Sequence, residues 1–479
     1  MPRSAEQLRE DALAIWRAGL EAVRSERLIA DNVRVEEGLL LLGDHTFDLA
    51  QIGRIVVVGA GKAGAGMAAG LEAALGPELL AEKQVGGLVN VPADCVRPLT
   101  RIKLHAARPA GVNEPTEQGA VGSREILRLV EALGSHDLCI CLLSGGASAL
   151  LPAPVDGISL ADKLQVTRFL SGAGANIQQL NTVRKQLSRL KGGGIARACR
   201  AGRLVTLIIS DVPGDPLDII GSGPTVPDTS TPAEALAVLQ QFAKQPSDIP
   251  AIVWQALREK TTSQEEPSAI SHQPTAIPTH TSYLIPHTSA LSLPIVIGNN
   301  AVAVDAAGLE AERRGYSAAM NSATRLEGQA EEVGRHLAGM ALEMRGQRGP
   351  DCLISGGEPV VQLAPAAKRG RGGRNQQLVL AALDEIGSRS ADHLGGIVIL
   401  SGGTDGEDGP TDAAGAWFDA EILGQAAAQG LDPADFLARN DAYHFFEPLT
   451  ALIKTGPTHT NVCDLRVVVV DRVETEGRN

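Results

Sequence analysis

Aromatic side chains make up only 3% of the 479 residues, so the core cannot be built around large rings. It must come from Ala, Val, Leu and Ile packed between helices and sheet. Cysteine is sparse too: Cys95, Cys139, Cys141, Cys199, Cys352 and Cys463 are scattered, and only Cys139 and Cys141 lie close, as alternate residues of one apolar run. That spacing excludes a disulfide framework and a zinc site. No stretch approaches the roughly 18 apolar residues that a membrane span needs. The start, MPRSAEQLREDALAIW, lacks the basic-then-apolar order of a signal peptide, so the chain reads as cytoplasmic. Basic residues are in deficit, 43 Lys and Arg against 56 Asp and Glu, a formal charge of −13. Nonspecific attraction to nucleic acid or an anionic membrane is thereby excluded, and any anionic ligand must meet positive charge assembled locally.

Several catalytic signatures are missing as well. There is no G-x-x-x-x-G-K-[ST] phosphate loop, no G-x-S-x-G elbow and no His spacing suited to a metal.

What is present is apolar residue at 44% and 53 glycines, in a chain long enough for two domains. Residues 4 to 30 carry a helical apolar stripe opened by Ser4 and Gln7, read as a helix packed on a domain surface. From Arg54 onward short apolar runs alternate with amphipathic segments: RIVVVGAG, VGGLVNV, DLCICLLSGG and RLVTLIISD, then IVIGNN, CLISGG, GIVILSGG and LRVVVV. This alternation predicts an α/β fold of two domains, each a mostly parallel sheet with helices on both faces. Between about Lys260 and Pro294 the composition turns to Ser, Thr, Pro and His. The expected layout is therefore a Rossmann-like domain over 1–257, a linker or long loop over 258–294 and a smaller α/β domain over 295–479, with the active site in the cleft between domains.

The phrase Ser-Gly-Gly closes three strands, at Ser144–Gly146, 355–357 and 401–403, and a turn of that kind opening a helix offers backbone N–H groups to an anion. Ser144, Gly145, Gly146 and nearby Ser148 are candidate phosphate contacts. RIVVVGAGKAGAG matches G-x-G-x-x-G at Gly59, Gly61 and Gly64, yet the following strand ends near Asn90 without the acidic residue that would hold a ribose. Lys62 inside that loop opposes the helix dipole unless an anion is near, which makes Gly61 and Lys62 candidate phosphate or carboxylate ligands. Asp211 ends a strand and suits Mg²⁺ binding or removal of a hydroxyl proton; Asp215 and Asp218 read as turn residues, and Gly221–Thr225 as further backbone donors. In KRGRGGRNQQ, Arg374 and Asn375 open a helix, and Arg374 is the candidate two-pronged anion ligand. Glu358 follows another strand, while Asp405 and Asp408 share one glycine-rich loop, Asp408 as a second metal candidate. Arg184 and Lys191 either face the cleft or form a solvated basic helix face.

Taken in order, VVVGAGKAGAGMA, LLSGGASALL, NTVRKQLSRLKGGGIA, ISDVPGDPLDIIGSGPT, SGGEPVV, GRGGRNQQLVLAAL, SGGTDGEDGPTDAAGAW and TGPTHTNVCDLRV resemble the glycerate 2-kinase family, the class II glycerate kinases with a MOFRL C-terminal domain. The resemblance spans nearly the whole chain. It implies ATP- and Mg²⁺-dependent phosphorylation of the 2-hydroxyl of D-glycerate, with the family's lysine on Lys62, its aspartate on Asp211, and its arginine and asparagine on Arg374 and Asn375. The sequence departs from the family at RLEGQAEEVG, where Gly-Glu-Ala-Arg is more usual. A homodimer is compatible with this reading. Two alternatives stay open: an NAD(P)H-dependent hydroxypyruvate reductase, on the strength of the glycine fingerprint, and a non-catalytic protein that binds a nucleotide or sugar acid.

Overall fold

A computed structural model describes residues 3–265, 291–389 and 395–472. The chain divides into two compact α/β units, one formed by residues 32–208 and 216–295, the other by 1–31, 209–215 and 296–479.

The first unit is built on a six-stranded sheet. Numbered along the chain, its strands lie in the order 3-2-1-4-5-6: Ile102–Arg108, Gly86–Pro92, Ile55–Ala60, Leu138–Leu143, Arg203–Ile209 and Leu291–Gly298. The first five pair in parallel. Central strands Ile55–Ala60 and Leu138–Leu143 are buried throughout, which is why both read as unbroken apolar runs. Strand order reverses between these two, and at such a switch point the carboxyl ends leave a crevice for a ligand. Helices Leu160–Gly172, Ile177–Gln186, Pro232–Phe242 and Ala251–Glu265 pack around Val166, Leu170, Val183, Leu239 and Val253. A small antiparallel sheet, Val33–Glu36, Leu39–Leu42 and His45–Asp48, precedes the main one.

The second unit holds another six-stranded sheet, ordered Ala318–Asn321, Cys352–Gly357, Asp464–Val470, Ile397–Gly403, Gly415–Phe418 and Leu452–Ile453. Here pairing departs from the expected mostly parallel pattern. Only Ala318–Asn321 and Cys352–Gly357 pair in parallel; the remaining neighbours are antiparallel. The cause is the last strand, Asp464–Val470, buried along its whole length and inserted antiparallel between two strands that share one direction. That insertion also explains the recurring Ser-Gly-Gly. Ser355 and Ser401 both face Arg466, Gly356 and Gly402 both face Leu465, and Gly357 and Gly403 both face Asp464. These two phrases are strand ends in one register, packed against side chains: a Cβ on Gly356 would lie 1.6 Å from Asn300 Oδ1, and one on Gly402 would lie 2.8 Å from Trp16.

Segment 4–30 forms two helices, Ala5–Ala22 and Ser25–Asn32, with Ser4 Oγ accepting from the Gln7 amide at 3.1 Å as its capping role requires. Leu8, Ile15 and Trp16 lie in the core of the second unit, and Trp16 Nε1 donates to Leu465 O at 3.1 Å. The first 31 residues thus go with residues 296–479 and not with a domain running 1–257. Within the expected 258–294 linker, the helix Ala251–Glu265 continues and the strand Leu291–Gly298 begins; the part between them lies outside the described residues. No described helix is long and apolar enough to cross a membrane.

Candidate active site

At the switch point the turn after Ile55–Ala60 interlocks with the turn after Leu138–Leu143. Gly61 N donates to Asn90 O at 3.2 Å, Lys62 N to Gly145 O at 2.9 Å and Ala63 N to Ser144 Oγ at 3.0 Å. The amides that a pyrophosphate would need in a dinucleotide fingerprint are therefore committed inside the protein. Asn90 is buried and its Nδ2 donates to Leu150 O at 2.8 Å, so no carboxylate stands where a ribose would be held. A Cβ on Gly61, at φ +150°, would lie 1.9 Å from Ser144 Oγ and 2.8 Å from the Ser144 backbone. Gly61→Ala must push the two turns apart and is expected to cost about 2 to 4 kcal/mol, read as a fall in Tm. An unchanged Tm would show that the turns do not interlock.

The amides of Gly145 and Gly146, in contrast, have no hydrogen-bond partner among the described residues. Gly146 borders a cavity of ~550 Å³ lined by Ser148, Lys163, Arg184 and Lys191. Ser148 Oγ accepts from Arg184 Nη2 and from Lys191 Nζ, and Lys191 Nζ also donates to Ser148 O at 2.8 Å. None of the three cations makes an ion pair among the described residues; the cavity's Glu114 is taken by Arg168 at 2.6 Å. Burial disfavours the charge on each. It pulls Arg184 below its ordinary value, and with Arg184 and Lys163 nearby it pulls Lys191 far below. Lys191 reaches the cavity because Gly192 and Gly193, at φ +54° and +76°, turn the chain against Ser222 and Gly223, whose carbonyls accept their amides at 3.0 and 2.7 Å. The Ser222 and Gly223 amides close their own turn on Ile219 and Ile220. Lys62 is half-buried, with its side-chain stem beside Gly146. The structure thus brings Ser144, Gly145, Gly146, Ser148, Lys62, Arg184 and Lys191 to one sheet edge, and adds Lys163.

The C-terminal candidates gather around the helix Arg374–Arg389 of the second unit. Arg374 is not an open anion ligand. Its Nε and Nη2 donate to Asp464 at 2.8 and 3.0 Å, and Nη1 donates to Glu358 at 2.9 Å. Burial works against its charge, but the Asp464 and Glu358 carboxylates more than offset this and hold it above its ordinary value. One N–H on each of Nη1 and Nη2 stays unused by these bonds. Asn375 Nδ2 donates to Asp464 at 3.0 Å and Asp408 at 3.2 Å, and its Oδ1 accepts from Ser401 at 2.5 Å. Asp211, half-buried at the end of its segment, accepts from Cys463 Sγ through its carbonyl at 3.1 Å. Burial, then Glu358, Asp464 and Asp211, push the Cys463 thiol up, which puts these carboxylates in one neighbourhood, with Asp405 acting on Glu358 in the same sense. Asp215 accepts from Asn299, and Asp218 from Lys185.

Asp408, a metal candidate by sequence, instead caps the helix. Its Oδ1 accepts from the Asn375 amide at 3.0 Å and its Oδ2 from the Gln376 amide at 2.9 Å. Gly373 is required beside it, since a Cβ there would lie 2.3 Å from the Asp408 carboxyl carbon. Burial pushes the Asp408 carboxyl up to about 6 from an ordinary 3.8, against the pull of those amides. The folded protein then holds a proton that the unfolded chain releases between these values. Its stabilising contribution is complete below the lower value and is lost as pH rises through the upper one. The unfolding free energy of wild type minus that of Asp408→Asn is expected to fall by up to about 3 kcal/mol over that window, measured by denaturant titration. A rise instead would show that the amides hold the carboxylate charged. The acidic residues do not fit a metal cage: no group of three or more His, Cys, Asp or Glu able to hold an ion occurs among the described residues. Asp408 and Asp464 spend both oxygens on protein donors.

Lys163 is the cavity residue that motif reading passed over. The signal lay in SLADKLQVTRFL, where Lys163 falls on the stripe of Leu160, Val166 and Leu170, the buried face of its helix.

Comparison with known proteins gives consistent matches. A profile of a domain of unknown function, DUF4147, matches residues 11–258, and the MOFRL family matches residues 351–464. Glycerate kinase from Homo sapiens is 34% identical, with 97% of this chain and 94% of the relative aligned. D-glycerate 2-kinase from Thermotoga maritima is 33% identical over 97% of this chain and 99% of its own length. A putative hydroxypyruvate reductase from Agrobacterium vitis is 37% identical, covering 87% of each. The crystal structure of a Thermotoga maritima glycerate kinase superposes with a TM-score of 0.77 at 32% identity, over 97% of this chain and 100% of that one.

Proposed function

Because the chain belongs to the glycerate kinase family, we propose that it is a D-glycerate 2-kinase, moving the γ-phosphoryl group of ATP to the 2-hydroxyl of D-glycerate. The observation that carries this reading is the cavity over which Lys163, Arg184 and Lys191 converge without a carboxylate of their own, in a chain of charge −13. Buried cations left unpaired are costly, and a phosphate chain is the kind of partner that offsets the cost.

Phosphoryl transfer asks a protein chiefly for positioning and charge stabilisation. In the proposed scheme the Gly145 and Gly146 amides, Ser148, Arg184 and Lys191 hold the nucleotide phosphates. Lys62 steadies the transferred group. Arg374, fixed by Asp464 and Glu358, presents its remaining pair of N–H groups to the glycerate carboxylate, in the two-pronged geometry that a guanidinium allows. Asp211 orients the 2-hydroxyl and accepts its proton as the oxygen bonds to phosphorus and ADP leaves. Mg²⁺ belongs to the proposal as a counter-ion of the nucleotide phosphates, not as an ion caged by protein carboxylates. Action of both Lys62 and Arg374 on one substrate is part of the same proposal, with a ligand-dependent decrease in the radius of gyration as its check.

The deciding experiment is ADP release coupled to glycerate, tartronate and related acids, with the product identified as the 2- or 3-phosphate. ATP turnover that depends on D-glycerate and yields the 2-phosphate is expected; no ADP release with any acid would leave only a binding protein. The hydroxypyruvate reductase reading draws on the Agrobacterium vitis relative and on Gly59, Gly61 and Gly64. Against it stand the occupied amides of Gly61, Lys62 and Ala63. Steady oxidation of NADH or NADPH by pure protein with hydroxypyruvate would overturn the kinase reading.

A further inference from the structure

Helix Leu160–Gly172 opens with a full capping box between Ser159 and Asp162, so its register is pinned at the first turn. That register places Lys163 on the buried face, 6% exposed, among the residues lining the cavity. Its Nζ is enclosed and has no hydrogen-bond partner among the described residues. A lysine in a first turn also meets the positive end of its helix, so neither the local backbone nor a neighbouring acid supports its charge. The charged groups around it are Arg184, Lys191 and Lys260, all of its own sign, and the Glu114–Arg168 pair, in which the carboxylate is already matched. Burial first, then Arg184 and Lys260, bring the Lys163 ammonium down to about 7 from an ordinary 10.5. A polyanion in the cavity would reverse that balance, since its charge is what this constellation lacks. Glycerate brings one negative charge, whereas a triphosphate brings several to a space of ~550 Å³.

We infer that Lys163 is a phosphate-binding residue of this cavity that takes up a proton as the phosphate chain of the nucleotide enters. The inference rests on the kinase reading and deepens it: nucleotide binding is coupled to protonation of a group that is largely neutral in the free protein above neutrality.

The full chain is titrated calorimetrically with ATP, with tripolyphosphate and with glycerate, near one unit above the Lys163 value, in two buffers of different ionisation enthalpy. Proton uptake is expected with ATP and tripolyphosphate, and none with glycerate. Lys163→Met should lower that uptake, leaving only the share taken by Lys191, and raise KM for ATP about tenfold or more while leaving KM for glycerate nearly unchanged. Because it removes an unpartnered buried amine, its Tm should stay the same or rise. Proton uptake on glycerate instead, or a Lys163→Met variant with unaltered uptake and KM for ATP, would overturn the inference even if the wild type proves to be a kinase. Absence of any glycerate-dependent ADP release would instead strike the kinase reading, leaving the tripolyphosphate titration as the test of the cavity.

Discussion

Arg374→Ala is expected to lower kcat/KM for glycerate by about two decades or more and, unlike loss of a solvated arginine, to destabilise the fold by about 3 kcal/mol. The second effect follows from Asp464, whose side chain is 0% exposed and receives two of the guanidinium's bonds. Without Arg374 that carboxylate keeps the Asn375 amide group alone, with Glu358 and Asp408 as neighbours of the same sign. Breaking a buried pair from one side leaves the other charge desolvated. Asp464→Asn in the same chain should therefore restore more than half of the lost stability, since it removes the stranded charge while keeping an acceptor. It should not restore turnover. Recovery of activity in the double variant, read from steady-state kinetics beside thermal melts, would assign Arg374 a structural role only. Full stability in the single variant would remove the ion pair from the account of the fold.

This pairing shows where sequence reading reached its limit. Several strands were legible because each is an apolar run closed by glycine, Ile55–Ala60 and Leu138–Leu143 among them. The Arg374 helix start was legible for a similar local reason, glycines before a periodic apolar stretch. Its partners were not: Asp464 lies 90 residues along the chain, on a strand whose LRVVVV pattern carries no record of direction. A strand inserted antiparallel looks the same in composition as one that extends a parallel sheet, so the Ser-Gly-Gly rhyme could be seen but not placed. Trp16 was read as part of a surface helix for the same reason, since its contact with Leu465 spans 449 residues. For Arg184 and Lys191 the sequence allows cleft or solvent alike; their convergence on Ser148 depends on turns at Gly192 and Gly193 that fix direction only in three dimensions.

Charge reversal at Lys191 separates function from stability by sign. Lys191 is 2% exposed, with Arg184 and Lys163 as like-charged neighbours and, among the described residues, only the Ser148 oxygens as acceptors. In Lys191→Glu a carboxylate enters that cluster, so mutual repulsion is replaced by attraction to Arg184 and Lys163, and Tm is expected to hold or rise. For an incoming phosphate chain the same change substitutes a like charge for a donor. Juxtaposed like charges at a binding site cost several kcal/mol, so kcat/KM for ATP is expected to fall by about two to three decades. Lys191→Met should fall between, since it removes the donor without adding repulsion. Steady-state kinetics across wild type, Met and Glu variants, set beside their melting curves, give the comparison. A graded loss of ATP use alongside flat or rising Tm identifies the cavity as a phosphate site whose cations destabilise the empty fold. A kcat/KM for ATP that survives Lys191→Glu within about threefold would remove the cavity from the nucleotide's path, and with it the observation on which the kinase reading most depends.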